Sequence, residues 1–165
     1  KIDYRSLREK RSGNETFQMT FVVKKITEES LLEKAFYIRE QVFVKEQNVA
    51  PEEEYDSFEN LATHFLVMDG ELGVGTARWR FTKSGIKLER FAVLKAFRGL
   101  GVGGMLVKAV LEDVLKNPSS KDKTIYLHAQ VTALGLYEKH GFEKVGERFM
   151  ECDIAHYLMN YRPKG

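Results

Sequence analysis

Cysteine is almost absent from this sequence, and it contains no long apolar run and no block of like charge. Cys152 is the only cysteine among 165 residues, which excludes an intrachain disulfide, and we expect no metal site. No apolar stretch approaches the roughly 20 residues that a membrane helix needs. The 26 basic and 24 acidic residues nearly balance, which argues against a nucleic-acid partner.

These absences favour an ordinary globular protein. The chain is long enough for one domain with a substantial core, and 43% of its residues are hydrophobic. It has no internal repeat, low-complexity segment or interdomain linker, and its charged first ten residues are unlike a signal peptide. We therefore expect a cytoplasmic, bacterial-type enzyme or binding domain without membrane or nucleic-acid partners. A homodimer is compatible with the sequence.

The apolar pattern predicts an α/β domain with antiparallel hairpins at both ends. Residues 1–18 are charged and turn-prone, so we expect an N-terminal extension followed by one domain over 19–165. Helical spacing is expected over 31–44, after a capping segment at 27–30, and again from the glycines near 101 to about 117. Strands are expected at 19–26, 64–68, 72–81, 86–94, 124–129, 142–149 and 155–161, with an acidic loop over 46–59 and a short helix over 131–139.

The most informative segment is a glycine run between a strand and an amphipathic helix, Arg98-Gly99-Leu100-Gly101-Val102-Gly103-Gly104. Free N–H groups at such a helix start, together with the helix dipole, bind phosphate or pyrophosphate. The run contains G-x-G-x-x-G, which suggests a dinucleotide, and R-x-x-G-x-G, which suggests coenzyme A. The alternative is a turn that serves only tight helix–strand packing.

The dinucleotide interpretation fits poorly. A Rossmann unit needs its glycines directly after the strand and an acidic residue at the end of the next strand. Here residues 95–98 intervene, and the nearest acid, Asp122, precedes the next strand. A P-loop is excluded because no Gly-Lys-Ser/Thr follows the glycines.

Several segments together resemble one family. Residues 88–93 and 98–104 resemble the acetyl-CoA motif of the GNAT N-acetyltransferases, and residues 133–142 resemble their second signature. Residues 36–39, 42–49, 78–80 and 151–156 are similar to the small bacterial ElaA-like members. The resemblance covers residue 19 to the end. It departs from the subgroup at Asp153 and Ala155, where Gly and Pro are expected.

The resemblance implies a fold and a reaction. The fold is a single α/β domain whose mixed, mostly antiparallel central sheet is splayed at the acetyl-CoA site and flanked by helices. The reaction is acetyl transfer from acetyl-CoA to a primary amine by direct attack in a ternary complex. The implied cofactor-binding residues are Phe91, Ala92, Val93, Arg98, Gly99, Leu100, Gly101, Val102, Gly103, Gly104 and Gln130. A solvated arginine and a hydrogen-bonded strand-end amide are the alternatives at Arg98 and Gln130.

The resemblance also suggests catalytic residues. Tyr137 stands at the family's usual tyrosine position, where a phenol with a pKa near 10 can protonate a leaving thiolate; an aromatic packing residue is the alternative. Glu89 is the leading candidate for a general base. If the turn lies at 83–85, however, Glu89 falls opposite Arg78 and could be its ion-pair partner. The weaker candidates are Glu46, His64 and His156, whereas His128 and His140 are expected to be structural.

The acceptor pocket is expected from the first helix and the loop after it. The elements that could line it carry four arginines: Arg39, Arg78, Arg80 and Arg90. They suggest an acceptor with an anionic group. The alternative is that they are surface charges balanced by Glu52, Glu53 and Glu54. Two other functions stay open. One is a non-catalytic acetyl-CoA-binding or partner-binding domain of the same fold, and the other is acetylation of protein N-termini.

Overall fold

The structure is a computed structural model that describes residues 19–164, so the expected extension over 1–18 lies outside the described residues. Seven strands form one sheet: β1 (Phe21–Lys25), β2 (Thr63–Asp69), β3 (Leu72–Thr82), β4 (Gly85–Val93), β5 (Ile125–Gln130), β6 (Phe142–Glu151) and β7 (Ile154–Tyr161). Their order across the sheet is β1-β2-β3-β4-β5-β7-β6. Every neighbouring pair is antiparallel except β4 and β5, which run parallel. The expected α/β class with a mixed, mostly antiparallel sheet is confirmed.

In the part of the chain that the structure describes, four α-helices and several short turns connect the strands. The helices are α1 (Glu29–Arg39), α2 (Pro51–Glu54), α3 (Val102–Lys116) and α4 (Leu134–Glu138). A π-helical segment, Glu40–Glu46, continues α1 directly, and 3₁₀ turns occupy Lys95–Phe97, Pro118–Ser120 and Val131–Ala133. Among residues 19–164, no helix combines the length and apolar character needed to cross a bilayer.

The core lies on both faces of the central strands. Phe65, Leu66, Val67 and Met68 are consecutive in β2 and all buried, which requires cover on both faces because neighbouring side chains point in opposite directions. Helix α3 supplies one cover through a buried stripe at the predicted spacing: Val102, Leu106, Val110 and Val114. Helix α1 supplies the other cover and contacts β2, β3 and β4.

Three local details differ from expectation. Helix α1 has Glu28 as its N-cap residue and no side-chain cap hydrogen bond, although residues 27–30 are expected to provide one. The expected helix over 31–44 changes at Glu40 to the wider π form, in which Gln47 N–H donates to Val42 C=O. The turn between β6 and β7 uses Cys152 and Asp153 at φ 50° and 60°, the positive pair of a type I′ turn, although neither residue is glycine.

Candidate active site

The central sheet splits open between β4 and β5. These strands pair only through Ile86–Leu88 and Ile125–Leu127, and beyond these three pairs they diverge. In β4, two residues, Arg90 and Phe91, stand against Ala77 alone in β3, and Arg90 has φ 59°. Such a bulge bends and twists the strand. The far half of β4 therefore presents an edge towards β5 that no described strand covers.

The predicted glycine run lies past the open end of β4. Gly99 and Gly101 have φ 75° and 84°, and a Cβ added at either position would meet no atom within 4 Å. Gly101 caps α3 in the left-handed conformation, with no side-chain cap, so the first N–H groups of α3 lack intrahelical partners. An open loop with free N–H groups at a helix start fits a pyrophosphate. Gly103 and Gly104 face Leu136 and His140 instead.

The Arg98 side chain is held by groups outside the glycine run. Its guanidinium pairs with the Glu46 carboxylate through Nη1–Oε1 and Nη2–Oε2 contacts of 2.5 and 2.8 Å. Its Nε–H donates to the Val93 carbonyl at 3.0 Å, at the open end of β4. The contact holds the pKa of Glu46 below its ordinary value, mainly through the hydrogen bond from Arg98. The segment after α1 is thus tied to the glycine run by an ion pair.

Tyr137 lies deep beside the split. Its ring packs edge-on against Phe91, with 5.6 Å between ring centroids, and against Phe142 at 6.2 Å. Burial raises the pKa of its hydroxyl, which therefore stays protonated at neutral pH. Within the described part of the chain, no group hydrogen-bonds this hydroxyl. The ring is thus fixed by packing while its donor stays uncommitted.

A cleft of about 300 Å³ lies between β4, β5 and the segment after α1. Gln130 at the end of β5 and Gln47 exchange two amide hydrogen bonds, 2.9 and 3.3 Å long, across it. This amide pair connects the loop to β5. The cleft walls include Phe43, Gln47, Val49, Glu89, Phe91, His128, Gln130, Tyr137, Glu151 and His156.

The four predicted arginines are all paired with carboxylates. Arg39 is 1% exposed and holds Glu54 and Glu59, and Arg78, fully buried, holds Asp56, Glu59 and Glu89. Arg80 pairs with Glu89 and stacks over Phe58 at 3.9 Å, and Arg90 pairs with Glu54 and Asp56. The partners are Glu54, Asp56, Glu59 and Glu89, so Glu54 alone of the predicted set of Glu52, Glu53 and Glu54 takes part. This internal compensation leaves the suggestion of an anionic acceptor without support.

Glu89 faces Arg78 across the β3–β4 hairpin, as the position of the turn predicts. Its carboxylate lies 3.3 Å from Arg78 Nη2 and accepts a hydrogen bond from Arg80 Nε. Burial alone would raise the pKa of Glu89, but Arg78 and then Arg80 lower it. These contacts favour the ion-pair alternative over the general base.

Three of the four histidines are committed to backbone carbonyls. His64 contacts the carbonyl of Glu59 at 2.9 Å, His140 that of Leu136 at 2.9 Å, and His156 that of Ile154 at 2.6 Å. His128 differs, because its Nδ1 lies 3.1 Å from the Glu151 carboxylate and its ring borders the cleft. The alternation of β5, which puts His128 and Gln130 on one face, was the available signal for this placement.

The parallel pair β4–β5 that splits after three residues, the glycine-capped helix α3 between these strands and the buried Tyr137 belong to a fold that matches that of acyl-CoA N-acyltransferases. A sequence model described as "Acetyltransferase (GNAT) domain" matches residues 9–163. The chain belongs to the GNAT acetyltransferase family. The structure resembles Escherichia coli ElaA with a TM-score of 0.76 and 27% identity, over 87% of this chain and 100% of that chain. This likeness supports the ElaA-like subgroup.

Two further comparisons agree on the family and the fold. The chain is 45% identical over 132 residues to a Bacillus subtilis protein named uncharacterized N-acetyltransferase YjcF, covering 79% of this chain and 92% of that protein. An acyl-CoA N-acyltransferase from Pseudomonas aeruginosa shares the fold, with a TM-score of 0.74 and 24% identity over 87% of this chain and 99% of that chain. Among residues 19–164, no cluster of His, Cys, Asp and Glu has the arrangement of a metal site.

Proposed function

We propose that this protein transfers the acetyl group of acetyl-CoA to a primary amine by direct attack in a ternary complex. The observation that carries the proposal is that one cleft is bordered by the uncovered half of β4 and by the uncommitted hydroxyl of Tyr137. Acetyl-CoA, when bound, supplies the activated acetyl group and the thiol that leaves.

Anchoring would fall to the glycine run. The N–H groups at the start of α3 bind the pyrophosphate, because they have no intrahelical partners and the space beside Gly99 and Gly101 is open. Leu100, Val102, Gly103 and Gly104 contribute backbone to the same turn. Arg98 adds a cation once its guanidinium leaves Glu46. The Arg98–Glu46 ion pair is exposed to solvent and therefore weak.

Orientation would fall to β4 and β5. Backbone groups of Phe91, Ala92 and Val93 on the uncovered edge hydrogen-bond the donor arm and polarise the thioester carbonyl where negative charge develops. At the end of β5, the Gln130 amide supplies a further polar contact once Gln47 releases it. Pairing of β4 with β3 and of β5 with β7 holds these groups in place.

Proton transfer to the leaving thiolate would come from Tyr137. Its hydroxyl stays protonated because burial raises its pKa, and a phenol is a competent donor to a thiolate, whose conjugate acid has a pKa of about 8.5. The hydroxyl has no competing partner within residues 19–164. Glu89 serves as an ion-pair anchor for Arg78 and Arg80 in this scheme.

The test has two stages. Calorimetric titration should give saturable binding of acetyl-CoA and none of NADH. A panel of small primary amines and peptides with free N-termini is then assayed for release of coenzyme A thiol. Thiol release with small amines supports the proposal. Turnover of peptides alone would favour the N-terminal acetylation alternative, and binding without any turnover would favour a non-catalytic acetyl-CoA-binding domain. NADH binding without acetyl-CoA binding would overturn the account.

A further inference from the structure

The amine attacks only after it has lost a proton, and the two predicted carboxylate bases, Glu89 and Glu46, are engaged in ion pairs. Glu54, which also lines the cleft, is bound by Arg39 and Arg90. Glu89 is held by Arg78 and Arg80, which lower its pKa. Glu46 is paired with Arg98, which lowers its pKa as well. A carboxylate with a lowered pKa is a weaker proton acceptor. The proposed reaction therefore needs a base that the sequence motifs did not indicate.

His128 occupies the narrow end of the split. Leu127 is the last residue of β5 that pairs with β4, so His128 is the first residue after the strands part. Its side chain is 27% exposed and lines the cleft together with Tyr137. A donor arm that enters at the open end of β4 carries its thioester towards this narrow end, where His128 lies.

The contact with Glu151 fixes the ring and its tautomer. Glu151 lies at the end of β6, and its Oε1 is 3.1 Å from His128 Nδ1. The hydrogen bond from His128 is the main reason that the pKa of Glu151 falls to about 2. Because an ionised carboxylate can only accept, Nδ1 carries the proton, and Nε2 of the neutral ring keeps its lone pair.

The ring is also held from the sides. It packs edge-on against Phe149, with 5.1 Å between ring centroids, and against Tyr126 at 6.1 Å. No described residue hydrogen-bonds Nε2, and this atom is not a buried, unpartnered one. The ionisable groups that face the pair or share its cleft come from every element around it: Glu53, Glu54, Asp56, Arg80, Lys87, Glu89, Arg90, Tyr126, Tyr137, Glu151, Cys152 and His156.

His156 is not equivalent to His128, although it borders the same cleft. Its Nδ1 donates to the Ile154 carbonyl at 2.6 Å, and its Nε2 stands 3.7 Å from Glu151, beyond hydrogen-bond distance. Its side chain is only 8% exposed and stacks on Phe149. An incoming amine therefore finds a free imidazole nitrogen at His128 and a buried one at His156.

We propose that His128 is the general base of the acetyl transfer and that Glu151 is its positioning residue. This assignment rests on the proposed function. His128 Nε2 takes one proton from the acceptor ammonium, and the nitrogen lone pair thus freed forms the new bond to the acetyl carbon. The bond from that carbon to sulfur then breaks, and the thiolate takes its proton from Tyr137. The second proton that the nitrogen sheds as it becomes an amide restores the Tyr137 hydroxyl. The imidazolium is stabilised by the Glu151 carboxylate and later returns its proton to water.

The test compares wild type with His128→Gln, Glu151→Gln and His156→Gln in the full chain. The probes are acetyl-CoA with an alkylamine, which is protonated at neutral pH, and with hydroxylamine, which is largely unprotonated there. His128→Gln should lose about 100-fold or more of kcat with the alkylamine and little with hydroxylamine, because the second acceptor needs no base. Its acetyl-CoA affinity should not change.

The pH profile separates positioning from structure. Wild-type kcat/KM should rise with pH, because only an unprotonated base can accept the proton of the amine, and His128→Gln should lack this ascending limb. Glu151→Gln should move the limb to lower pH, because the imidazolium loses a stabilising negative charge. His156→Gln should keep it in place. Equal losses of His128→Gln with both acceptors, or an unchanged limb, would overturn the assignment.

A structural readout decides the case even without an acceptor. Absence of thiol release by wild type with every amine would contradict the proposed function and leave the state of His128 to be measured directly. Nitrogen-15 NMR of the neutral imidazoles should then show the His128 proton on Nδ1 and none on Nε2. A proton on Nε2 would overturn the proposal, because that nitrogen could not accept another.

Discussion

Arg78 Nη2 lies 3.3 Å from Glu89 Oε2, between residues that face each other across the β3–β4 hairpin. Both side chains are buried, and Arg78 also holds Asp56 and Glu59 from the loop before β2. Through these ion pairs, the β3–β4 hairpin fixes the position of the loop before β2. Ionic contacts, rather than apolar packing alone, build this wall of the cleft.

Glu89→Gln should destabilise the protein without removing the ascending limb of the pH–rate profile, in which kcat/KM rises with pH. The substitution leaves buried donors of Arg78 and Arg80 with a weaker acceptor, which costs about 1–3 kcal/mol of unfolding free energy. Urea unfolding measures this loss. Glu143→Gln is the matched control, because Glu143 is 61% exposed and should change stability by less than about 0.5 kcal/mol. Loss of the ascending limb in Glu89→Gln would instead identify Glu89 as the base.

Stability should fall steeply in acid because of Asp56. Burial would raise its pKa, but hydrogen bonds from Arg78 and then the Phe58 N–H lower it from 3.8 to about 2. A lowered pKa in the folded state means that the stabilisation is complete above the unfolded pKa and is lost as pH falls through the folded pKa. Urea midpoints between pH 6 and pH 2 should therefore decline less in Asp56→Asn than in wild type. Parallel curves would contradict the pairing of Asp56 with Arg78.

Gly101→Ala should weaken acetyl-CoA binding through backbone strain. The residue has φ 84° and an added Cβ meets no atom, so the cost is conformational, about 1–2 kcal/mol. Gly146→Ala is a matched control, because Gly146 has φ 75° with equally open space and lies in the bulged part of β6. The thermal unfolding temperature should fall similarly in both variants. Only Gly101→Ala should raise the calorimetric Kd for acetyl-CoA, and an equal change in both would argue against a pyrophosphate at this loop.

Glu46→Ala and Arg98→Ala should change acetyl-CoA affinity in opposite directions. Removing Glu46 frees the Arg98 guanidinium for phosphate and lowers Kd, whereas removing Arg98 raises Kd by about threefold to tenfold. Both effects should shrink at high ionic strength, because the pair is exposed. Acetyl-pantetheine, which lacks the pyrophosphate, is the control ligand, and its Kd should follow neither substitution. Increased Kd in both variants would mean that the ion pair itself organises the site.

Tyr137→Phe should lower kcat by about 100-fold or more and leave the Kd for acetyl-CoA nearly unchanged. The hydroxyl has no partner within the described residues, so the ring packing on Phe91 and Phe142 survives. Stopped-flow thiol release and calorimetry measure the two quantities. Tyr161→Phe provides the comparison, since Tyr161 also packs on Phe142 but lies outside the cleft. A kcat close to wild type in Tyr137→Phe would remove it as the acid.

Local patterns predicted the parts of the fold that depend on neighbours in sequence. The spacing of Val102, Leu106, Val110 and Val114 predicted α3, and a turn near 83–85 predicted the register that pairs Arg78 with Glu89. The observed turn residues are Lys83 and Ser84, so the predicted boundaries are correct within about one residue.

Contacts between distant segments could not be predicted in the same way. Glu54, Asp56 and Glu59 lie in an acidic stretch that looked like a solvated loop, yet they neutralise arginines on α1, β3 and β4. The pairing of His128 with Glu151 depends on the register of β6 with β7, which shifts at a bulge between Val145 and Phe149. No periodicity in the sequence specifies such a shift.

Because three residue pairs join β4 to β5, the sheet consists of two plates, β1–β4 and β5–β7, that meet along a short seam. A donor arm lodged past the seam would act as a guest strand that bridges the plates. Occupancy should therefore slow amide hydrogen exchange in both plates at once, well beyond the residues that touch the ligand. Substrate binding would then strengthen the whole sheet as well as fill the cleft.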